Sequence, residues 1–514
     1  MITTSNTSTL FTTRAWAYCL IIALALLLLV WRLGVYPAPW FDEGFTTHLV
    51  RVLIEHGIYG TYSAVQGYVP FDSGVSSGPP LVYPMALSFK LLGMGMAQAR
   101  IISVLFALLT LVSIYEICAY LYGRSAALFT TLALLAAPAV RDIGFVLISR
   151  QVLGEPAALA LLALGLWFLF RNWASQHWLL ATWAGVCFGL ALLAKSQWAV
   201  TVLPTLGLVL FARWVKDHKR FSACATPLVI MMAIFVAWRF ITSLGAGGSA
   251  EVLASNAKVT SVLIETQLLL PAFGRFLTPS TGLMFVLMLI AAISCLVRVR
   301  VWRWPKHDLS DKAYADATLG LFVLISAIWF AGFSISWPRY AYVGFMVALV
   351  LLARLGWGLL RRMSAFVFSR ALFLVKHGSA VLALGMVVLA LLNNVRVFMP
   401  NPDDGAAQKI GDYMRANIPA EAVIETWEWE LDALGDRWQI NHPHELYDVE
   451  AVRQIFFEKR PVPKLNYNML QANPDYLITG LMSGWTNVYE AEQLQKNFRQ
   501  VIQIGNYQVF ERIR

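Results

Sequence analysis

Pro39-Trp40-Phe41-Asp42-Glu43-Gly44 sets two adjacent carboxylates between aromatic residues, just past a long apolar segment. Ionisable groups kept at the edge of a bilayer are costly, so such a pair marks a candidate functional site. Asp42 also has a plainer use, as the N-cap of the helical pattern that runs through Leu49 and Ile54. Other charges stand at the ends of separate apolar segments: Arg150 and Glu155, Lys195, and Arg339 within Trp337-Pro338-Arg339-Tyr340. Together these residue types suit group transfer from a lipid phosphate. A carboxylate takes the proton of an attacking hydroxyl, and fixed positive charge holds the phosphate as it leaves. Arginine does this with a planar fork and lysine with a point charge. On this reading Asp42 is the base, and Arg150, Lys195 and Arg339 supply the charge. Each also has a plainer use: Arg150 and Glu155 as an interfacial salt bridge, Lys195 as a snorkelling lysine, Arg339 as a partner of lipid head groups.

These residues need helices to bring them together. Of 514 residues, 58% are hydrophobic and 14% are charged, against about 25% charged in soluble domains. This composition predicts a polytopic α-helical membrane protein. About eleven spans are expected, near 15–35, 97–120, 124–140, 155–171, 177–194, 198–213, 221–242, 278–297, 316–336, 340–359 and 378–397. The first lacks a small-residue cleavage site and is expected to stay as a transmembrane helix. The net charge of +10 comes from basic clusters between spans, at Arg213, Lys216, Lys219 and Arg220, at Arg298, Arg300, Arg303, Lys306 and Lys312, and at Arg361, Arg362, Arg370 and Lys376. All three fall on one side, which the positive-inside rule makes cytoplasmic. No basic stretch interleaved with aromatics points to nucleic acid.

The opposite face then carries the Asp42-Glu43 loop, the loop 141–154 with Arg141 and Asp142, and the loop 244–279 with Glu251, Lys258, Glu265 and Arg275. The apolar stretch from Gly78 through Pro79-Pro80 to Leu92 is too short to span, and reads as an outer juxtamembrane or re-entrant helix. Residues 1–397 form the membrane domain. Residues 398–514 change composition and read as a small soluble α/β domain, with a helix at Ala406–Asn417, strands at Ala422–Thr426 and Asp475–Thr479, and a hairpin across Gly505-Asn506. His48 and the five cysteines, Cys19, Cys118, Cys187, Cys224 and Cys295, read as buried structural residues. Trp427-Glu428-Trp429-Glu430 reads as a solvated turn with partly buried tryptophans.

Five motifs in order make a resemblance. The Trp40-Phe41-Asp42-Glu43-Gly44 stretch, Gly78-Pro79-Pro80-Leu81 leading to Gly93 and Arg100, Ser149-Arg150 to Glu155-Pro156, Gly189 to Lys195, and Arg339-Tyr340 resemble motifs of the GT-C membrane glycosyltransferases. The resemblance is in particular to the group of protein O-mannosyltransferases and lipid A aminoarabinose transferases. Where that family often has Lys or His before the two prolines, this chain has Gly78, so that side chain's role is absent. The family's usual Asp after Arg150 is Glu155 here. The resemblance implies a polyprenyl-phosphate-linked sugar as donor, and inverting transfer to a hydroxyl of a lipid, glycan or protein at the outer face of a bacterial inner membrane. It implies Asp42 as base, Glu43 as a neighbour shaping the site, Arg150 and Lys195 on the donor phosphate, Glu155 orienting Arg150 or touching the acceptor, and Arg339 as a further phosphate contact. It implies no required metal, while the carboxylate pair leaves a divalent ion open. The alternatives are a transporter or flippase of lipid-linked sugars, and a non-catalytic subunit that binds glycans through its tail. A transporter would be expected to show inverted repeats and broken midplane helices, and neither is evident in the sequence.

Overall fold

The computed structural model describes residues 7–513, apart from 66, 72–76, 140–142, 217–220, 246–278, 300–309, 335–336, 368–371, 401–403, 445, 457 and 459. The membrane part begins with α1 (Thr7–Val30), α2 (Phe41–His56), the hairpin β1 (Gly60–Ser63) and β2 (Gly67–Pro70), and α3 (Pro79–Leu92). It continues with α4 (Met96–Tyr122), α5 (Arg124–Ala136), α6 (Phe145–Ser149), α7 (Gly154–Ser175), α8 (Trp178–Ala194), α9 (Ala199–Lys216) and α10 (Phe221–Gly245). Then follow α11 (Pro279–Val299), α12 (Asp311–Gly332), a 3₁₀ turn at Pro338–Ala341, α13 (Tyr342–Val367) and α14 (Leu372–Asn393).

Seven described helices are long and apolar enough to cross a membrane: Met96–Tyr122, Gly154–Ser175, Ser196–Lys216, Ala223–Gly245, Thr281–Val299, Asp311–Gly332 and Pro338–Arg362. Shorter apolar helices at Ala15–Val30, Arg124–Ala136, Trp178–Ala194 and Val381–Asn393 stand where the other four spans are expected. The 14 residues of α3 reach about 21 Å at 1.5 Å per residue, short of a bilayer core. Lys219, Arg220, Arg300, Arg303, Lys306 and Arg370 of the basic clusters lie outside the described residues. Cys118, Cys187, Cys224 and Cys295 are buried as expected. Cys19 is exposed instead, because it lies on a face of α1 that also exposes Trp16, Leu20 and Ile22.

The tail comprises α15 (Ala406–Asn417), β3 (Ile424–Thr426), α16 (Glu430–Gly435), β4 (Ile440–Asn441), α17 (Leu446–Phe456), β5 (Tyr476–Thr479), α18 (Leu481–Thr486), α19 (Ala491–Asn497), β6 (Phe498–Ile504) and β7 (Tyr507–Arg512). The strands form one sheet in the order β4-β3-β5-β7-β6. β3 runs parallel to β4 and β5, while β7 runs antiparallel to β5 and β6. The amphipathic face of α15 supplies Ala406, Ala407, Ile410 and Met414 to a core with Ile424, Ile478 and Val509. The tail also has a second core that it shares with the membrane part. Phe41 and Phe45 of α2 pack among Trp427, Trp429, Leu477 and Phe510, with edge-on ring contacts from Phe41 to Trp427 and from Phe45 to Trp429.

The Trp-Glu-Trp-Glu stretch is therefore not a solvated turn. Its four side chains are buried because the two indoles complete this shared core. Glu428 accepts from the Met482 and Ser483 amides and from Ser483 Oγ. Arg51 adds bonds from α2 to the Asp432 and Arg437 carbonyls and to Asp436. His48 Nδ1 lies 2.7 Å from Asp432, while its Nε2 accepts from the Tyr62 amide. His442 Nε2 lies 2.9 Å from the other Asp432 oxygen, and the two imidazoles hold that carboxyl well below the usual carboxylate range despite its burial.

Gly44 is what lets α2 reach the tail. A Cβ there would stand 2.0 Å from the Glu430 nitrogen and 2.2 Å from the Trp429 carbonyl carbon. Both are backbone atoms that cannot swing aside, so Gly44→Ala is expected to cost about 3 kcal/mol, the upper end for overpacking. Limited proteolysis should cut the 424–435 segment faster in that variant. Cleavage at the wild-type rate would mean that the close approach does not hold the tail.

Buried acids also give the tail a pH dependence. Glu425 accepts from Asn441, Tyr467 and Tyr489, yet burial pushes its carboxyl up to about 8. The folded tail then binds a proton that the unfolded chain has released above its ordinary value. Stability from this group is full below about pH 4.5 and falls as pH rises towards 8. Amide exchange across β3 in the full-length protein should quicken between pH 5 and 8 beyond the intrinsic chemical rate. Glu425→Gln should flatten that excess, and an unchanged slope in the variant would contradict the assignment.

Candidate active site

The site sits where the start of α2, the start of α7, the end of α8 and the 3₁₀ turn before α13 meet. Asp42 lies in the first turn of α2, whose N-cap is Trp40 with no side-chain cap bond. The N-cap use is therefore not made, and the Asp42 carboxylate forms an ion pair with Arg339 Nη1. Arg339 Nε also lies 3.5 Å from Glu155 Oε1, and Lys195 Nζ lies 3.8 Å from the same oxygen. Four charges from four separate elements thus alternate in one row: Asp42, Arg339, Glu155, Lys195. Their formal charges cancel.

Small residues set this approach. A Cβ on Gly154 would stand 2.4 Å from the Ala194 carbonyl oxygen and 3.1 Å from Lys195 Cδ. The glycine lets α7 begin against the end of α8, which sets Glu155 beside Lys195. A Cβ on Gly78 would stand 1.9 Å from the Leu193 carbonyl oxygen. The backbone of α8 occupies the space that a lysine or histidine side chain would need there.

The row is buried at one end and open at the other. The Glu155 side chain is fully buried and Lys195 is 8% exposed, whereas Asp42 keeps a quarter of its surface exposed. Neither Glu155 oxygen has a hydrogen bond, so its two cations hold it by charge alone. The Arg339 guanidinium carbon sits 5.1 Å from the Trp40 ring centre and 5.6 Å from that of Trp337. Two indoles thus flank the guanidinium within cation–π reach.

Glu43 and Arg150 serve the frame around this row. The Glu43 carboxylate is completely buried and takes both arms of Arg100, at 2.8 and 2.5 Å, and the Val152 amide at 2.8 Å. Arg100 adds a bond to the Leu33 carbonyl. One acid therefore ties α2 to α4 and to the loop before α7. The Arg150 guanidinium donates to the carbonyls of Leu28, Trp31 and Tyr36. It closes the C-terminal end of α1, and burial pushes its pKa down to about 10. Among the described residues Glu155 pairs with Lys195 and Arg339, and Arg150 forms no salt bridge with it. The Arg150 donors expected for a phosphate are bonded to backbone oxygens, and Glu155 lies beside Arg339 and Lys195 rather than Arg150.

Sequence reasoning missed one acid. Asp448, in the first turn of α17, has a buried Oδ1 with no hydrogen bond. Burial and then the charge of Asp42 push its carboxyl up to about 7, with Arg339 pulling it back. Trp485 of the tail stacks on Trp337 at 6.1 Å. An acid on an amphipathic tail helix gives no sequence signal of such a position. The indole of Trp337, two residues before Arg339, gives a weak one. Among the described residues no group of three or more His, Cys, Asp or Glu side chains converges as a metal-binding set. Arg141, Asp142, Glu251, Lys258, Glu265 and Arg275 lie outside the described residues.

Residues 76–238 match the family model described as dolichyl-phosphate-mannose-protein mannosyltransferase. A search of curated proteins finds no match. The fold is similar to that of ArnT from Cupriavidus metallidurans bound to undecaprenyl phosphate, with TM-score 0.63 and 16% identity over 96% of this chain and 98% of that one. It is also similar to the archaeal oligosaccharyltransferase AglB from Archaeoglobus fulgidus in complex with an inhibitory peptide and a dolichol-phosphate. There the TM-score is 0.56 and the identity 12%, over 98% of this chain and 75% of that one. Nearly the whole chain, tail included, therefore has the fold of the GT-C membrane glycosyltransferases, and its matched segment carries their mannosyltransferase-type sequence pattern.

Proposed function

We propose that the protein transfers a sugar from a polyprenyl-phosphate donor to a hydroxyl acceptor at the outer face of a bacterial inner membrane. The observation that carries this reading is the Asp42–Arg339–Glu155–Lys195 row. The undecaprenyl phosphate and dolichol-phosphate named for the two similar structures support the donor class.

At rest Arg339 is paired with Asp42. An arriving phosphodiester competes for the guanidinium, which suits two phosphate oxygens by its shape. Lys195 adds a second positive charge from the buried side, and Glu155 fixes the spacing of the two cations. Drawing Arg339 onto the phosphate releases Asp42 to accept a proton. The acceptor O–H then loses its proton to Asp42 as its oxygen bonds to the sugar's anomeric carbon. The bond from that carbon to the phosphate oxygen breaks, and polyprenyl phosphate leaves as a dianion held by Arg339 and Lys195. A single displacement of this kind inverts the anomeric centre. No metal is required in this scheme, because the two cations carry the leaving group's charge.

The test is a panel of radiolabelled polyprenyl-phosphate sugars offered to the purified protein with membrane glycolipid and protein acceptors. Loss of label from the donor should match its appearance in one acceptor, with one polyprenyl phosphate released per sugar moved. Movement of intact donor across vesicles without bond cleavage would instead identify a translocator.

A further inference from the structure

Two short segments of the tail hang over the open end of the charge row. The first is the start of α17. Tyr447 packs in the cluster that holds Trp40 and Phe41, and its neighbour Asp448 has Asp42 and Arg339 as the charges acting on it. The second is α18, fixed at its start by the Glu428 carboxylate. It presents Trp485, 38% exposed, stacked on Trp337.

The membrane side of the site holds its cations, Arg339 and Lys195. The tail offers a carboxyl and an indole face. A carboxyl repels phosphate, so this side suits the other reactant. A flat indole face with a buried carboxyl oxygen awaiting a donor is the chemistry that holds a sugar ring: apolar C–H groups lie on the indole, and a ring hydroxyl donates to the carboxyl. We propose that Asp448 and the Trp485–Trp337 stack form the acceptor side of the site and bind a pyranoside. This assignment rests on the sugar-transfer reading for its place in a reaction, and its binding is measurable without turnover.

Saturation-transfer NMR on the full-length protein in nanodiscs tests it. The probes are methyl glucopyranoside, mannopyranoside and galactopyranoside, with a serine- and threonine-containing peptide as competitor, and undecaprenyl phosphate is titrated separately. At least one glycoside should take saturation in the wild type. Asp448→Asn should weaken it roughly tenfold, the loss of one hydrogen bond to a charged group. Trp485→Ala should remove most of the signal, and Asp448→Glu should restore part of the affinity lost in Asp448→Asn. Affinity for undecaprenyl phosphate should change less than about twofold in all three variants, since that contact lies with Arg339 and Lys195. The proposal is overturned if no glycoside binds, if binding is the same in the variants, if the peptide takes the saturation instead, or if undecaprenyl phosphate affinity falls with Asp448→Asn. If glycoside binding behaves as stated while no donor is ever cleaved, the transfer reading fails and the sugar site stands.

Discussion

Glu43→Ala is expected to destabilise the protein by about 3–5 kcal/mol, because it leaves a buried arginine without its counter-ion. Arg100 is fully buried, and two of its nitrogens are bonded to the Glu43 carboxylate. The alanine also strands the Val152 amide, which donates to the same carboxylate. α2 would then lose its tie to α4 and to the loop before α7, and the Asp42 side of the charge row would lose its support. The paired substitution Glu43→Leu with Arg100→Met removes both charges at similar volume, and should recover much of the loss. Thermal unfolding in detergent, followed by the fraction still monodisperse, gives the comparison. A single variant as stable as the wild type would show that the pair does not brace α2. A double variant no better than the single would show that the cost is packing rather than an uncompensated charge.

Much of the scaffold was legible because it follows from hydropathy and turn chemistry. The helix Ala406–Asn417 has the expected bounds. The hairpin closes across Gly505-Asn506, with Ile504 opposite Tyr507. Apolar helices stand at each expected span. Asp42, Glu155, Lys195 and Arg339 were also legible as a set, since each is a charge stranded at the end of an apolar segment and such charges seek partners.

Which charge pairs with which was not legible. Arg150 and Glu155 look like neighbours along the chain, but the non-helical break between α6 and α7, extended at Leu153, sends Arg150 to the end of α1 and Glu155 to Lys195. Glu43 and Asp42 are adjacent, but successive helical residues point about 100° apart, so one faces Arg100 in the core and the other faces Arg339 in the open site. The shared core of α2 and the tail rests on contacts almost 400 positions apart in sequence, which no local pattern encodes. Asp448 reaches the site only through that docking.

In the proposed reaction Asp42 is the base, set free when donor phosphate takes Arg339. Asp42→Asn keeps the shape of the side chain and removes its ability to accept a proton. Its amide also no longer holds Arg339 by charge, so the guanidinium is at least as available to phosphate as before. The decisive measurement is single-turnover transfer from a polyprenyl-phosphate sugar that supports wild-type turnover, taken beside undecaprenyl phosphate affinity in the same preparations. Transfer by Asp42→Asn should fall about a hundred- to ten-thousandfold, the range for losing a general base, while affinity is unchanged or tighter. Transfer within a few-fold of wild type at equal affinity would contradict that role for Asp42.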